Sequence, residues 1–302
     1  MSDVAAILLP LNGLPTDMAA LALGIRLARR FGAHLQALHV GTDSREVAPL
    51  AGEGLSGAMV EEMMTVAERD TSRRLVDARG VLRLGLEQDE AVLAGTAAPL
   101  ALVDRLPSAI GATRTATVGF RSIIGREHEL VAQAARLSDL IVVPHPASGS
   151  SISSSEALHA VLFDSGRPVI LAPRQLPPTI GRRISIAWNG TTESASAVLA
   201  ALDWLEHADA VQVLYSNDYQ RRGPEVAELI EYLAGHGVDA GAMSFKRLDE
   251  RVGAGLLGAA GAFGADLLVM GAYSHSRLRQ LIVGGVTRHV IEKATLPVLM
   301  AR

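Results

Sequence analysis

Arg183–Tyr215 reads RISIAWNGTTESASAVLAALDWLEHADAVQVLY, and its pattern decides the fold. Arg183 to Trp188 is a short, mostly apolar run stopped by Asn189-Gly190, a pair that favours a tight turn. Thr192 to Glu206 then carries apolar residues at helical spacing, and Ala210 to Tyr215 returns to a short apolar run. Strand, turn, helix and strand in this order, with strands apolar enough to be buried on both sides, predict a parallel sheet covered by helices.

Working outward, the same pattern occurs near the start of the chain. Ala5 to Leu11 reads as a buried strand closed by Asn12-Gly13. A helix is expected from Thr16 to Phe31, with Thr16 or Asp17 as N-cap and Gly32 as stop, and His34 to Val40 is the next strand. The two Asn-Gly turns are offset by 177 residues. Later matches sit closer: Ser138–Val143 pairs with Ala265–Met270 at an offset of 127, and Arg167–Ala172 with Leu296–Ala301 at 129. The chain therefore reads as two copies of one domain, the first enlarged by about fifty residues. Helical periodicity at Met59 to Arg83 and Gln88 to Arg105 places the excess in a helical insertion over about 42–112. Pro177-Pro178 marks a stiff connection, so the expected domains are 1–175 and 180–302.

Composition narrows the functions. With 302 residues, two domains are the natural reading, and 49% hydrophobic against 20% charged residues describes ordinary globular protein. A net charge of −4 with only 4% aromatic residues argues against a nucleic-acid partner, which needs basic grooves and stacking rings. The absence of cysteine excludes disulfides, thiolate zinc sites and a cysteine nucleophile, and fits a reducing compartment. Met1 to Pro10 lacks the basic and long apolar regions of a signal peptide, and no membrane span is expected, so the expected location is cytoplasmic.

The chemistry concentrates between Asp266 and Arg302. Leu267 to Met270 reads as a strand, Gly271 to Gly284 as a loop, Gly285 or Val286 to Ala294 as a helix, and Pro297 to Met300 as a last strand. A glycine after a buried strand lets backbone approach a ligand, and glycines opening a helix leave its first N–H groups facing outward. Those amides and the positive helix end suit a phosphate, and Thr287 is placed to add its hydroxyl. Ligands of open parallel sheets bind past the carboxyl ends of the strands, where this loop lies.

The phrase GAYSHSRLRQLIVGGVTRHVIEKATLPVLMAR from Gly271, with AWNGTTESASAV from Ala187, resembles the universal stress protein family. The resemblance implies an α/β fold of two tandem Rossmann-like (adenine nucleotide alpha hydrolase-like) domains, each an open parallel five-stranded sheet with helices on both faces. Nucleotide-binding members carry Gly, two residues, Gly, nine residues, Gly, then Ser or Thr. Here the frame is Gly271, Ser274, Gly284 and Gly285, with the spacing kept and two identities changed. The aspartate that ends the first strand of ATP-binding members is Asn189 here. The implied ligand site is thus Asn189, Gly271, Ser274, Gly284, Gly285, Val286 and Thr287, for ATP, for another adenine nucleotide or for none. In the first copy the matching positions are Pro144, Ala147, Ser155 and Glu156, which lose an N–H and add a repelling charge, so no nucleotide is expected there.

Other motifs weigh less. Gly253-Ala-Gly255-Leu-Leu-Gly258 matches a dinucleotide fingerprint, but no acidic residue ends the next strand, and helix packing is the better reading. Ser148 to Ser155 reads as a polar loop with a helix cap; the nine histidines lack metal-ligand spacing; Arg277 and Arg279 are either phosphate contacts or solvated charges. No catalytic residue and no metal site are expected. The expected function is a stress-response sensor that binds ATP in its second domain. A ligand-free interaction protein is the alternative, and a slow ATPase ranks third. The resemblance also implies that the two copies form a pseudo-dimer within the chain, with a further homodimer left open.

Overall fold

The computed structural model describes residues 4–44, 56–104, 107, 115–146, 152–217, 223–273 and 285–302. They form two compact units, one built on Val4–Val142 and the other on Gly166–Arg302.

In the first unit, β1 (Ala6–Pro10) leads through α1 (Asp17–Phe31) to β2 (His34–Gly41). Helix α1 stops at Gly32, whose φ of 60° is the left-handed cap that glycine adopts without strain. Its start is held differently from the expectation, because Thr16 makes no side-chain cap. Instead the Asp17 carboxylate reaches back, and its Oδ2 accepts from Asn12 N at 2.8 Å and Leu14 N at 3.0 Å. The insertion begins with α2 (Gly57–Glu87), where Ser56 accepts from Met59 N. The second expected helix shrinks to α3 (Glu90–Leu93), because Gly95 takes φ +67° and Pro99 follows. Beyond it lies a two-residue strand, β3 (Ala101–Leu102), then β4 (Thr117–Ile124), α4 (Glu127–Ala135), β5 (Leu140–Val143) and α5 (Ile152–Asp164). The sheet runs β3-β4-β2-β1-β5, parallel throughout.

The second unit repeats the plan with β7 (Arg183–Ala187), α6 (Thr192–Glu206), β8 (Ala210–Tyr215), α7 (Val226–Gly235) and β9 (Ala240–Ser244). It continues through α8 (Val252–Phe263), β10 (Leu267–Gly271), α9 (Val286–Lys293) and β11 (Val298–Ala301). These five strands are parallel in the order β9-β8-β7-β10-β11. Right-handed crossovers put α6 and α7 on one face and, once the chain reverses past β9, α8 and α9 on the other. Each unit is thus an open parallel sheet of five strands between helices. The second carries one addition, β6 (Val169–Leu171), which pairs antiparallel with β11.

The glycine triplet of the dinucleotide-like motif lies inside α8. A Cβ on Gly253 would sit 2.8 Å from His289 Cβ, and one on Gly255 would overlap Lys246 O. These glycines allow α8 to pack closely, and His289 is half-buried against Gly253.

Candidate functional site

In the second unit the chain leaves β7 towards β8 and β9, then returns on the far side of β7 to β10 and β11. The carboxyl ends of β7 and β10 are where the connections diverge, the place at which such sheets leave a crevice. A crevice is present there, walled by Trp188, Asn189, Ser216, Phe245, Gly271 and Thr287 among others.

Trp188 continues β7. Its backbone N–H donates to Leu214 O at 2.9 Å, and its indole N–H donates to Pro224 O at 3.1 Å, so the buried ring forms a fixed wall. Asn189 opens the turn and Gly190 completes it at φ +76°. The Asn189 Oδ1 accepts from Thr191 N at 3.3 Å and from Thr191 Oγ1 at 2.9 Å. Thr191 in turn caps α6, its Oγ1 accepting from Ser194 N at 3.3 Å. Of the two roles open to Asn189, the oxygen serves the turn, which leaves the amide nitrogen as the group that can donate to a ligand.

Gly271 ends β10 where α6 begins. A Cβ there would lie 2.6 Å from both Glu193 C and Ser194 N, backbone atoms that cannot step aside. The glycine is therefore required by helix packing, and its bare backbone also lines the crevice. Ser274 and Gly284, together with Arg277 and Arg279, lie outside the described residues.

Gly285 is the N-cap of α9, with φ −84° and ψ 166° and no side-chain cap. The N–H groups of the first turn lack intrahelical acceptors by construction and concentrate the positive end of the helix dipole. Val286 and Thr287 both line the crevice. Thr287 is buried, and its Oγ1 accepts from Tyr273 N at 3.3 Å. A hydroxyl that accepts still holds a proton to donate, so Thr287 can serve the chain and a ligand together. Tyr273 takes φ +56°, unusual outside glycine, and its buried phenol is pushed up to about 12 by desolvation, partly offset by Arg288.

Among the described lining residues none is charged. Only backbone dipoles there could attract an anion, while Leu214, Phe245, Val252 and Leu256 make the β8–β9 side apolar. Ser216, just past β8, is a crevice residue that the motif search passed over. The available signal was a lone hydroxyl directly after an apolar strand at the switch point. Among the described residues no three His, Asp or Glu side chains converge as metal ligands would.

In the first unit the corresponding strand ends are covered from within. A Cβ on Gly13 would lie 2.6 Å from Asp77 Cβ and 2.9 Å from Ala78 N, and one on Gly41 would lie 2.6 Å from Thr71 Cγ2. Helix α2 therefore lies across the ends of both β1 and β2. Asn12, the counterpart of Asn189, donates through Nδ2 to Glu127 Oε1 at 2.5 Å. Buried Pro144 follows β5 where Gly271 ends β10; Ala147 lies outside the described residues.

Comparison with known proteins gives consistent results. Residues 181–302 match the universal stress protein family. Universal stress protein Slr1230 of Synechocystis sp. is 51% identical over 37 residues, which make up 12% of this chain and 13% of that protein. A universal stress protein from Archaeoglobus fulgidus DSM 4304 shares the fold with a TM-score of 0.62 at 14% identity, over 98% of this chain and 96% of that one. A universal stress protein solved in complex with cAMP aligns with a TM-score of 0.35 at 14% identity, over 57% of this chain and 99% of that one. That likeness is too slight to carry its ligand across. No described helix is long and apolar enough to cross a membrane.

Proposed function

We propose, from the match of residues 181–302 to the universal stress protein family and the fold the whole chain shares with one of its members, that the second domain binds an adenine nucleotide, ATP first among them. Occupancy of the crevice would then alter a partner surface, making the protein a cytoplasmic stress sensor. The observation that carries this reading is the two-ended crevice: apolar walls beside β8 and β9, and a helix start without a side-chain cap beyond β10. A nucleotide has the same two ends, a flat ring and a polyanion. In this reading the amides of Gly285 and Val286 and the Thr287 hydroxyl take phosphate oxygens, Gly271 gives backbone clearance, and the Asn189 amide nitrogen meets the sugar. Ser274 and Gly284 join the phosphate loop on the strength of their spacing. The domains are taken as 1–175 and 180–302, with ligand only in the second.

Calorimetry with ATP, ADP and AMP tests the proposal. Binding that rises with phosphate number supports it, and flat titrations at millimolar nucleotide sink it. Val286 is the first helical residue, where proline is tolerated, so Val286→Pro removes one phosphate-facing N–H and leaves α9 able to form. ATP affinity should fall about tenfold while helix content stays constant.

A second reading, an interaction protein without ligand, draws on the commitment of Asn189 Oδ1 to Thr191 and on glycine at 285 in place of a hydroxyl residue. An adenine nucleotide that co-purifies with the protein decides against it.

A further inference from the structure

Ser216 follows the last residue of β8, is 5% exposed, and lines the crevice. Its Oγ has no hydrogen-bond partner among the described residues. A hydroxyl taken out of water and left unpaired is a cost that native structures rarely carry without a reason.

Among the described residues, most polar groups beside it are already committed, and the Asn189 amide nitrogen does not bond to it. Trp188 Nε1 is held by Pro224 O, Asn189 Oδ1 by Thr191, and Phe245 N by Tyr215 O at 2.9 Å. The side chains of Leu214, Val252 and Leu256 offer only carbon, and Leu214 O is taken by Trp188 N. On the β8 side of the crevice, Ser216 is thus a polar group waiting in an apolar wall. From β8 across β7 to β10 is two strand spacings, roughly 10 Å, and the start of α9 lies past β10. A molecule anchored by an anion on α9 and reaching to Ser216 would span about the length of a nucleoside.

We infer that Ser216 is a specificity-determining residue whose hydroxyl hydrogen-bonds the polar edge of a nucleobase lodged between the apolar walls. The inference rests on the nucleotide reading of the same crevice and assigns its far end. A hydroxyl both donates and accepts, so it can meet a ring nitrogen or an exocyclic amine, and it discriminates against a ring edge that offers neither.

The test compares wild type with Ser216→Ala for ATP and for inorganic tripolyphosphate, which has the anion but no ring, alongside the melting temperature of each unliganded protein. Ser216→Ala should weaken ATP about tenfold, leave tripolyphosphate binding unchanged, and melt no lower than wild type. Equal ATP affinity in the two proteins overturns the role of Ser216 and leaves the nucleotide reading standing. An equal fall for both ligands, or a lower melting temperature in the unliganded variant, assigns the hydroxyl to the structure and overturns it as well. Wild type that binds neither ligand removes the nucleotide reading, and this inference with it.

Discussion

Gly271 and Gly285 flank the same crevice and differ in what a side chain would meet. At Gly271 a methyl group would press on the backbone of α6, so Gly271→Ala should lower unfolding free energy by about 1–3 kcal/mol in urea titrations. At Gly285 a Cβ meets nothing within 4 Å, and the extended backbone suits an N-cap serine. Gly285→Ser should stabilise the protein by up to about 1 kcal/mol and, by adding a hydroxyl at the helix start, tighten ATP binding in calorimetry. In the first unit the residue that matters is Asp17, only 1% exposed. Desolvation raises its carboxyl from 3.8 to about 6, against the backbone N–H groups of Leu14, Asn12 and Gly13 that favour the charge, while Glu127 adds to the rise. The folded chain therefore holds this proton more tightly than the unfolded one. Its contribution to stability is full below about pH 4 and is lost as pH rises through about 6, a change on the order of 3 kcal/mol. Chemical denaturation of wild type and Asp17→Asn across pH 4 to 7 reads this directly: the variant keeps an acceptor for the turn but has no proton to lose, so its slope should be shallower.

Helix α2 is where the two copies diverge as elements. Its residues Thr71, Asp77 and Ala78 press on Gly41 and Gly13, and Gly85 admits Leu21 of α1, so the helix is seated along its length by glycines on both sides. Gly13→Ala combines a φ of +76° with a collision against Ala78 N, so it should cost about 1–3 kcal/mol and speed amide exchange in α2 more than in α4. Much of this architecture was legible. The Asn-Gly turns after apolar runs located β1 and β7, and a 3.6-residue pattern located α2, because both signals are local. What stayed hidden depends on contacts made far along the chain. A two-residue strand such as β3 has no periodicity to read, and Gly95 cut short a helix whose apolar spacing continued. Gly271 was read as backbone clearance for a ligand, whereas the first demand on it comes from α6, a partner that no motif names. Ser216 escaped because one serine after a strand is unremarkable until the walls around it are known.

For the whole molecule, the telling element is β6. By sequence it closes the first copy, matching β11 at an offset of 129 residues, yet it belongs to the compact unit of the second. Val169, Ile170 and Leu171 pair antiparallel with Met300, Leu299 and Val298, and all six are buried. The direction of β6 could not be read from its residues, since an apolar triplet fits either orientation and only the partner strand decides. Without β6, β11 would present unpaired N–H and C=O groups beside apolar side chains, the kind of edge that recruits another strand. A fragment beginning at residue 180 matches the domain drawn from sequence but leaves that edge bare, whereas one beginning at Gly166 carries its cover. Urea titration of the two fragments should find the shorter one less stable, by about 1–3 kcal/mol. A charged substitution tests the same pairing in the longer fragment: Ile170→Lys should lower its stability to that of the shorter one, by expelling β6. If the shorter fragment is as stable to urea as the longer, β6 adds nothing to the second unit and the sequence-drawn boundary is the physical one.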